Sequence, residues 1–339
     1  PIAFRGDAVA DPKSQRRAAL WALVVLAVLG AISLSLGLMW GSQGWEPWWH
    51  GEQAQVMMSL RWPRSAGAWM AGACLALAGL QAQTLFRNAL ADPYVLGSAT
   101  GAGLGVALVL WAAPLGGLLV LPWTPVLGGF VGAWAALALV LMLVRSRVSD
   151  GTLIMAGMVV SVLLGSGLAL LLRSHPHLMP AMQGFMLGQT LFLQSQDVWQ
   201  LAVVLVAALA LSWWWAPSLD ALSLGESVAQ SMGVRVAQVR ALYLVLLSLL
   251  TATAVAHVGL VAFVGWIAPH LAKRGLPRSL RWRMPAAVLA GGFVLCAADG
   301  LARTLVAPEE WPVGIITAWL GGAWMLWQLR QRRWGQMHG

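Results

Sequence analysis

Charge is scarce in this chain: 10% of its 339 residues are Asp, Glu, Lys or Arg, and lysine, cysteine and tyrosine occur twice each. Each shortage removes a class of chemistry. A phosphate-binding loop needs a glycine-rich turn ending in Lys-Ser/Thr, so that backbone amides and an ammonium hold the phosphates. Lys13 follows Pro12 and Lys273 follows Ala272, so ATP hydrolysis by that route is excluded. Cys74 and Cys296 both sit in apolar runs, where cysteine acts as a small hydrophobe; neither a disulfide framework nor a metal site is indicated. His257 and His270 are thirteen residues apart, and His175 and His177 flank Pro176. Neither pair has the HExxH spacing of a zinc hydrolase, and no nucleophile has a partner base. No catalytic residue and no permanently bound cofactor is assigned.

What the sequence has instead is hydrophobicity, 59% apolar residues and a mean hydropathy of +0.74. A helix crossing a bilayer needs about 20 apolar residues, because its backbone amides must be satisfied within the segment. Such runs occur at Ala18 to Trp40, Ser65 to Phe86, Tyr94 to Ala112, Leu118 to Val144, Gly151 to Leu172 and Val198 to Ala216. Ala241 to Ala272 is charge-free and too long for one crossing. Gly259 and Gly265 are places where it could turn, and it reads as two helices, the second short. Met284 to Leu301 and Val313 to Leu329 follow. The chain reads as an all-α integral membrane protein of ten transmembrane helices. A single domain, 18–333, lies between tails 1–17 and 334–339, and Pro217 to Arg240 is a polar loop long enough for two short helices.

Arginine and lysine orient those helices. With the amino terminus inside, sixteen lie in inner loops and four in outer ones, namely Arg61, Arg64, Arg173 and Arg303. This is the asymmetry of the positive-inside rule, and it puts both termini on the cytoplasmic face. The net charge of +9 then belongs to loops facing anionic headgroups, not to a nucleic-acid surface. The first helix has 23 apolar or small residues, longer than the core of a cleaved signal, about 7–15 residues, and is expected to remain attached. Only Asp299 is an acid well inside a crossing, near its outer end and one turn before Arg303. Pairing at i,i+4 accounts for it without an ion-coupled transport role. Gly97, Gly101 and Gly105, with Gly103 among them, lack a dinucleotide fingerprint; their four-residue spacing suits close helix packing. Tryptophans Trp45, Trp48, Trp49, Trp62, Trp123 and Trp311 fall in outer loops or helix ends, where aromatic belts form. His175, Pro176 and His177, with Met179 and Met182, form a soft-ligand cluster that reads as a surface loop.

Five segments, in order, resemble one family. Arg61-Trp62-Pro63-Arg64 is similar to an RLPR segment. Gly79 to Gly105, with LADPYVLGSATGAGLG, resembles the G-x-x-x-Q-x-x-x-R-N-P-L-A-D-P-x-x-L-G block. LGESVAQSMG (Leu224 to Gly233), GLVAFVGWIAPH (Gly259 to His270) and ADGLARTLVAPEEWPVG (Ala298 to Gly314) match three more. The family is that of the FecCD/BtuC-like permeases of ABC importers, which carry iron chelates, haem or vitamin B12. This chain departs from the pattern at Ala89, where proline is usual, at Trp266, which replaces a small aliphatic, and at Val261, which replaces isoleucine. It departs also in the arginine-rich loop after His270.

The resemblance implies a type II ABC importer permease fold and inward movement of a ferric siderophore or haem, with cobalamin as the alternative. An ion-coupled secondary carrier is the reading from another class. It implies a homodimer in the inner membrane, two cytoplasmic ATP-binding subunits that use the ATP, and a periplasmic substrate-binding protein. Leu224, Gly225, Glu226, Ser227, Met232 and Gly233 would couple to the ATPase, or the loop is a solvated connector. Ser223 and Glu226 suggest a capping box there. Arg61, Arg64 and Arg303 would dock the binding protein; contact with headgroups is the other reading for Arg61 and Arg64.

Overall fold

The structure is a computed structural model and describes residues 12–41, 44–45, 57–115, 124–143, 150–273 and 276–337. Several positions named from the sequence fall outside these: residues 1–11 of the amino-terminal tail and 338–339 of the carboxy-terminal one, Trp48, Trp49, Trp123, Arg145, Arg147 and Arg274. The described residues form thirteen α-helices. In chain order these are α1 (Pro12–Met39), α2 (Trp62–Leu85), α3 (Ser98–Leu115), α4 (Thr124–Leu143), α5 (Asp150–Ser174), α6 (Met179–Leu187) and α7 (Ser195–Trp214). Then come α8 (Ala216–Ser223), α9 (Glu226–Ser231), α10 (Val236–Val258), α11 (Val264–Ala272), α12 (Leu280–Thr304) and α13 (Val313–Met337). A two-residue antiparallel ladder pairs Trp40 with Trp45 after α1.

Each of the ten expected crossings has a helix, and seven segments are long and apolar enough to span a bilayer: those of α1, α2, α4, α5, α7, α10 and α12. The protein is an all-α, multi-pass membrane protein. Helix α2 sits at its centre. Most of its residues from Pro63 to Leu85 are buried, because alanine and glycine on every side let α12, α10, α11 and α7 close around it. Peripheral helices such as α1 and α5 bury little of their length and present Val25, Val28, Met155 and Val162 outward, as a lipid-facing surface should.

Close approach is what the glycines do here. A Cβ on Gly72 would lie 2.3 Å from the Gly291 carbonyl oxygen, and one on Gly79 would lie 1.8 Å from that of Gly265. Gly265 is thus not a turn, as the sequence suggested, but a contact within α11. The chain turns at Gly259 (φ +69°) and re-enters α11 through Phe263 (φ +66°). Helices α3 and α4 interlock in the same way: Gly101 faces Gly132 and Gly105 faces Gly128, backbone against backbone. Gly97 is a correction. It lies before α3, at φ +79°, ending the 3-10 turn Pro93–Leu96, so its lack of a side chain serves a left-handed turn more than packing.

Candidate functional site

The two ends of the bundle differ in chemistry. At one end the amino terminus of α2, the carboxy terminus of α12 and the last turn of α1 converge on Asp299, which is fully buried. Arg303, one turn along α12, pairs with it, as the i,i+4 spacing predicted. Arg64 reaches it from α2, Nε to Oδ1 at 3.1 Å, and gives Nη1 to Glu310 at 2.7 Å. The Thr190 hydroxyl donates to the same carboxylate. Arg303 also donates to the Gly37 carbonyl at 2.9 Å and to Ser65 Oγ at 3.0 Å. Two cations and two anions are paired here, with Arg303 Nε the one buried donor of the cluster left without a partner among the described residues; pairing of this kind is the condition under which buried charge is tolerated.

This alters the picture drawn from sequence. Arg61, Arg64 and Arg303 do gather at one end, with Arg61 donating to Leu38 of α1 at 3.3 Å. Arg64 and Arg303, however, are 8% and 2% exposed; they are internal cross-links, not open cations. Sequence reasoning missed Asp299 and Glu310 as partners of Arg64, since 235 and 246 residues separate them from it along the chain. No local spacing rule connects them.

The opposite end carries the α8–α9 pair. Lys273 bonds to Gln83 at the far end of α2, at 3.1 Å, which fixes this end as the one holding the inner-loop cations. Leu224, Val228 and Met232 stand 69%, 41% and 64% exposed, an apolar patch on two short helices. The capping box expected at Ser223 does not form. Ser223 is the last residue of α8 and its hydroxyl returns to the Asp220 carbonyl at 2.6 Å. The chain must then break at Gly225, whose φ of +126° and ψ of 153° suit glycine alone. Gly233 (φ +79°) closes α9, and Glu226 pairs with Arg240 at 3.7 Å. Nothing lies within 4 Å of where a Cβ on Gly225 or Gly233 would stand; both are there for backbone conformation. Ser227 lies on α9 and is exposed.

Elsewhere, His175 accepts from the Trp111 indole at 3.0 Å through Nε2, while its Nδ1 faces the Leu171 carbonyl at 3.3 Å. Both nitrogens are therefore engaged. Met182 is buried and His177 exposed, so the His-Met group does not converge. No cluster of three or more His, Cys, Asp or Glu side chains fit for a metal occurs among the described residues. Cys74 and Cys296 are free and buried. Two of the departures from the family pattern touch: the Trp266 indole donates to the Ala89 carbonyl at 3.1 Å.

Comparison with known proteins agrees with this layout. The haemin transport system permease protein HmuU of Yersinia pestis is 34% identical over 320 residues, 92% of this chain and 93% of that one. The vitamin B12 import system permease protein BtuC of Serratia proteamaculans is 33% identical, covering 90% of each. A solved structure described as an inward-facing conformation of an ABC transporter assigned to the metal-chelate type superposes with a TM-score of 0.83 at 27% identity. It covers 91% of this chain and 98% of that one. Residues 19–331 match the FecCD transport family, and the chain, with its central α2, its ionic end and its apolar short-helix end, belongs to that family of ABC importer permeases.

Proposed function

We propose that this chain is the permease subunit of an importer for a metal chelate, haem or a ferric siderophore, embedded in the inner membrane as a homodimer with both termini cytoplasmic. The α8–α9 patch would receive a separate ATP-binding subunit on the cytoplasmic side. The ionic end would receive a substrate-binding protein on the outer side, with Arg61 at its rim and the Arg64–Asp299–Arg303 cluster holding the rim's shape.

The observation that carries this is the exposed Leu224–Val228–Met232 surface on a strained two-helix element, at the end where the inner cations gather. Apolar side chains on a polar, membrane-distal loop mark a surface covered by another protein. The relative named for haemin transport supports haem as the cargo class. The test is co-purification with the cognate ATP-binding subunit: Met232→Asp combined with Leu224→Asp should abolish it while leaving the permease folded. Retained association at wild-type yield would return this loop to the status of a connector.

A further inference from the structure

The amino terminus of α12 is capped from another helix. Ser279 occupies the N-cap position with extended backbone, yet its own hydroxyl caps nothing in α12. Asp220 of α8 does so instead. Its two oxygens lie 3.1 and 3.3 Å from the Leu280 amide, and Ser279 Oγ donates to it at 3.3 Å. Arg281 and Arg283 face the same carboxylate and favour its charge, while burial opposes it and prevails, holding the carboxyl above its ordinary range. A carboxylate at a helix amino terminus meets both the unsatisfied amides and the positive end of the dipole.

Helix α12 is a single 25-residue element, about 37 Å long at 1.5 Å per residue. Its first residue is held by Asp220, about one turn before Leu224 of the exposed α8–α9 patch; its last turn carries Arg303 of the ionic cluster. A displacement of α8 that keeps the Asp220 cap must carry α12 with it, and the far end of α12 cannot move without moving α1, α2 and the Glu310 segment. We infer that Asp220 is the positioning residue that joins the ATPase-facing element to α12, and through it to the outer ionic end. This rests on the reading of α8–α9 given above.

The test uses the full chain assembled with its ATP-binding subunit and binding protein in proteoliposomes, with haemin as probe. Asp220→Ala removes the acceptor; Asp220→Asn keeps one and is the rescue variant. Leu280→Pro removes the donor at the first helical position, where proline is well accommodated, after a residue already extended as proline requires; because Leu280 is buried, Leu280→Ala, which keeps the amide, is its packing control and should behave as the parent. For Asp220→Ala and Leu280→Pro, haemin moved per ATP hydrolysed should fall about tenfold, a size typical of coupling between sites, with hydrolysis itself sustained. Spin labels at Leu127 and Leu305, introduced as cysteines, should show an ATP-dependent distance change in the parent, Asp220→Asn and Leu280→Ala, and none in Asp220→Ala and Leu280→Pro. If the parent shows neither hydrolysis by the assembled ATP-binding subunit nor an ATP-dependent distance change, the reading of α8–α9 fails; if the parent shows both and Asp220→Ala and Leu280→Pro match it in every readout, the inference about Asp220 is overturned. Should Asp220→Ala not fold, Leu280→Pro read against Leu280→Ala decides.

Discussion

The interlock of α3 and α4 gives the sharpest stability prediction. Placing a methyl on Gly105 would put carbon 2.0 Å from the Gly128 carbonyl oxygen and 3.0 Å from the Gly132 Cα; on Gly101 it would come 2.4 Å from the Gly132 oxygen. Atoms in such pairs rest at roughly 3.2 Å or beyond, so the helices must part by about 1 Å. The obstructing atoms are backbone and cannot rotate aside. Forced overpacking of this kind costs about 1–3 kcal/mol, and because one separation relieves both clashes, Gly101→Ala with Gly105→Ala should cost less than the sum of the two. The controls lie in the same chain. Gly300 has nothing within 4 Å of its would-be Cβ, and Gly103 meets the flexible end of Leu168 at 3.1 Å and the Phe185 ring at an ordinary 3.7 Å. Gly300→Ala should be neutral or stabilising by up to about 1 kcal/mol through helix propensity. The two buried free thiols, Cys74 and Cys296, supply the assay: a fluorogenic maleimide reports their exposure as the detergent-solubilised protein is heated. Gly105→Ala should expose them several degrees earlier than the parent. Coincident curves for Gly105→Ala and Gly300→Ala would refute the steric argument.

Three further perturbations follow from named contacts. Asp299→Ala strands Arg303 as a buried cation and leaves Arg64 with Glu310 alone; it should destabilise by about 3–5 kcal/mol, read in the same thermal assay, and an unchanged melting curve would mean the cluster is hydrated. Burial raises the Asp92 carboxyl from 3.8 to about 6. Its stabilising contribution is therefore complete below 3.8 and lost as pH rises through 6. Asp92→Asn, which can still accept from the Tyr94 amide, should flatten stability across that window and exceed the parent above it. Trp266→Phe removes the donor to the Ala89 carbonyl and should cost about 1 kcal/mol, with Ala89→Pro in the same background telling whether the two positions act as a pair.

The helices were legible because each crossing is an apolar run bounded by charge or by glycine and proline, and hydropathy needs no tertiary information. Asp299 with Arg303 was legible for a similar reason, being four residues apart on one helix. Arg64 was not, because only folding brings the start of α2 to the end of α12. Local rules failed where backbone strain decided the outcome: at Ser223 the cap-like spelling yielded to the glycine-only conformation of Gly225, and at Gly97 a packing motif began one turn too early. The partner glycines of the α3–α4 seam, Gly128 and Gly132, repeat the four-residue spacing in plain sequence and could have been found. Helix α6 could not be told from a loop, since nine residues opening Met179-Pro180 carry too little periodicity.

The central claim is that this chain conducts a metal chelate inward on energy supplied by a separate subunit, and reconstitution tests it most directly. Proteoliposomes holding this permease with its ATP-binding subunit, and loaded with ATP on the side of α8–α9, should accumulate haemin or a ferric siderophore delivered by the binding protein; vesicles lacking the ATP-binding subunit should neither hydrolyse ATP nor accumulate chelate. ATP turnover by the permease alone, or chelate accumulation driven by an ion gradient without ATP, would contradict the account.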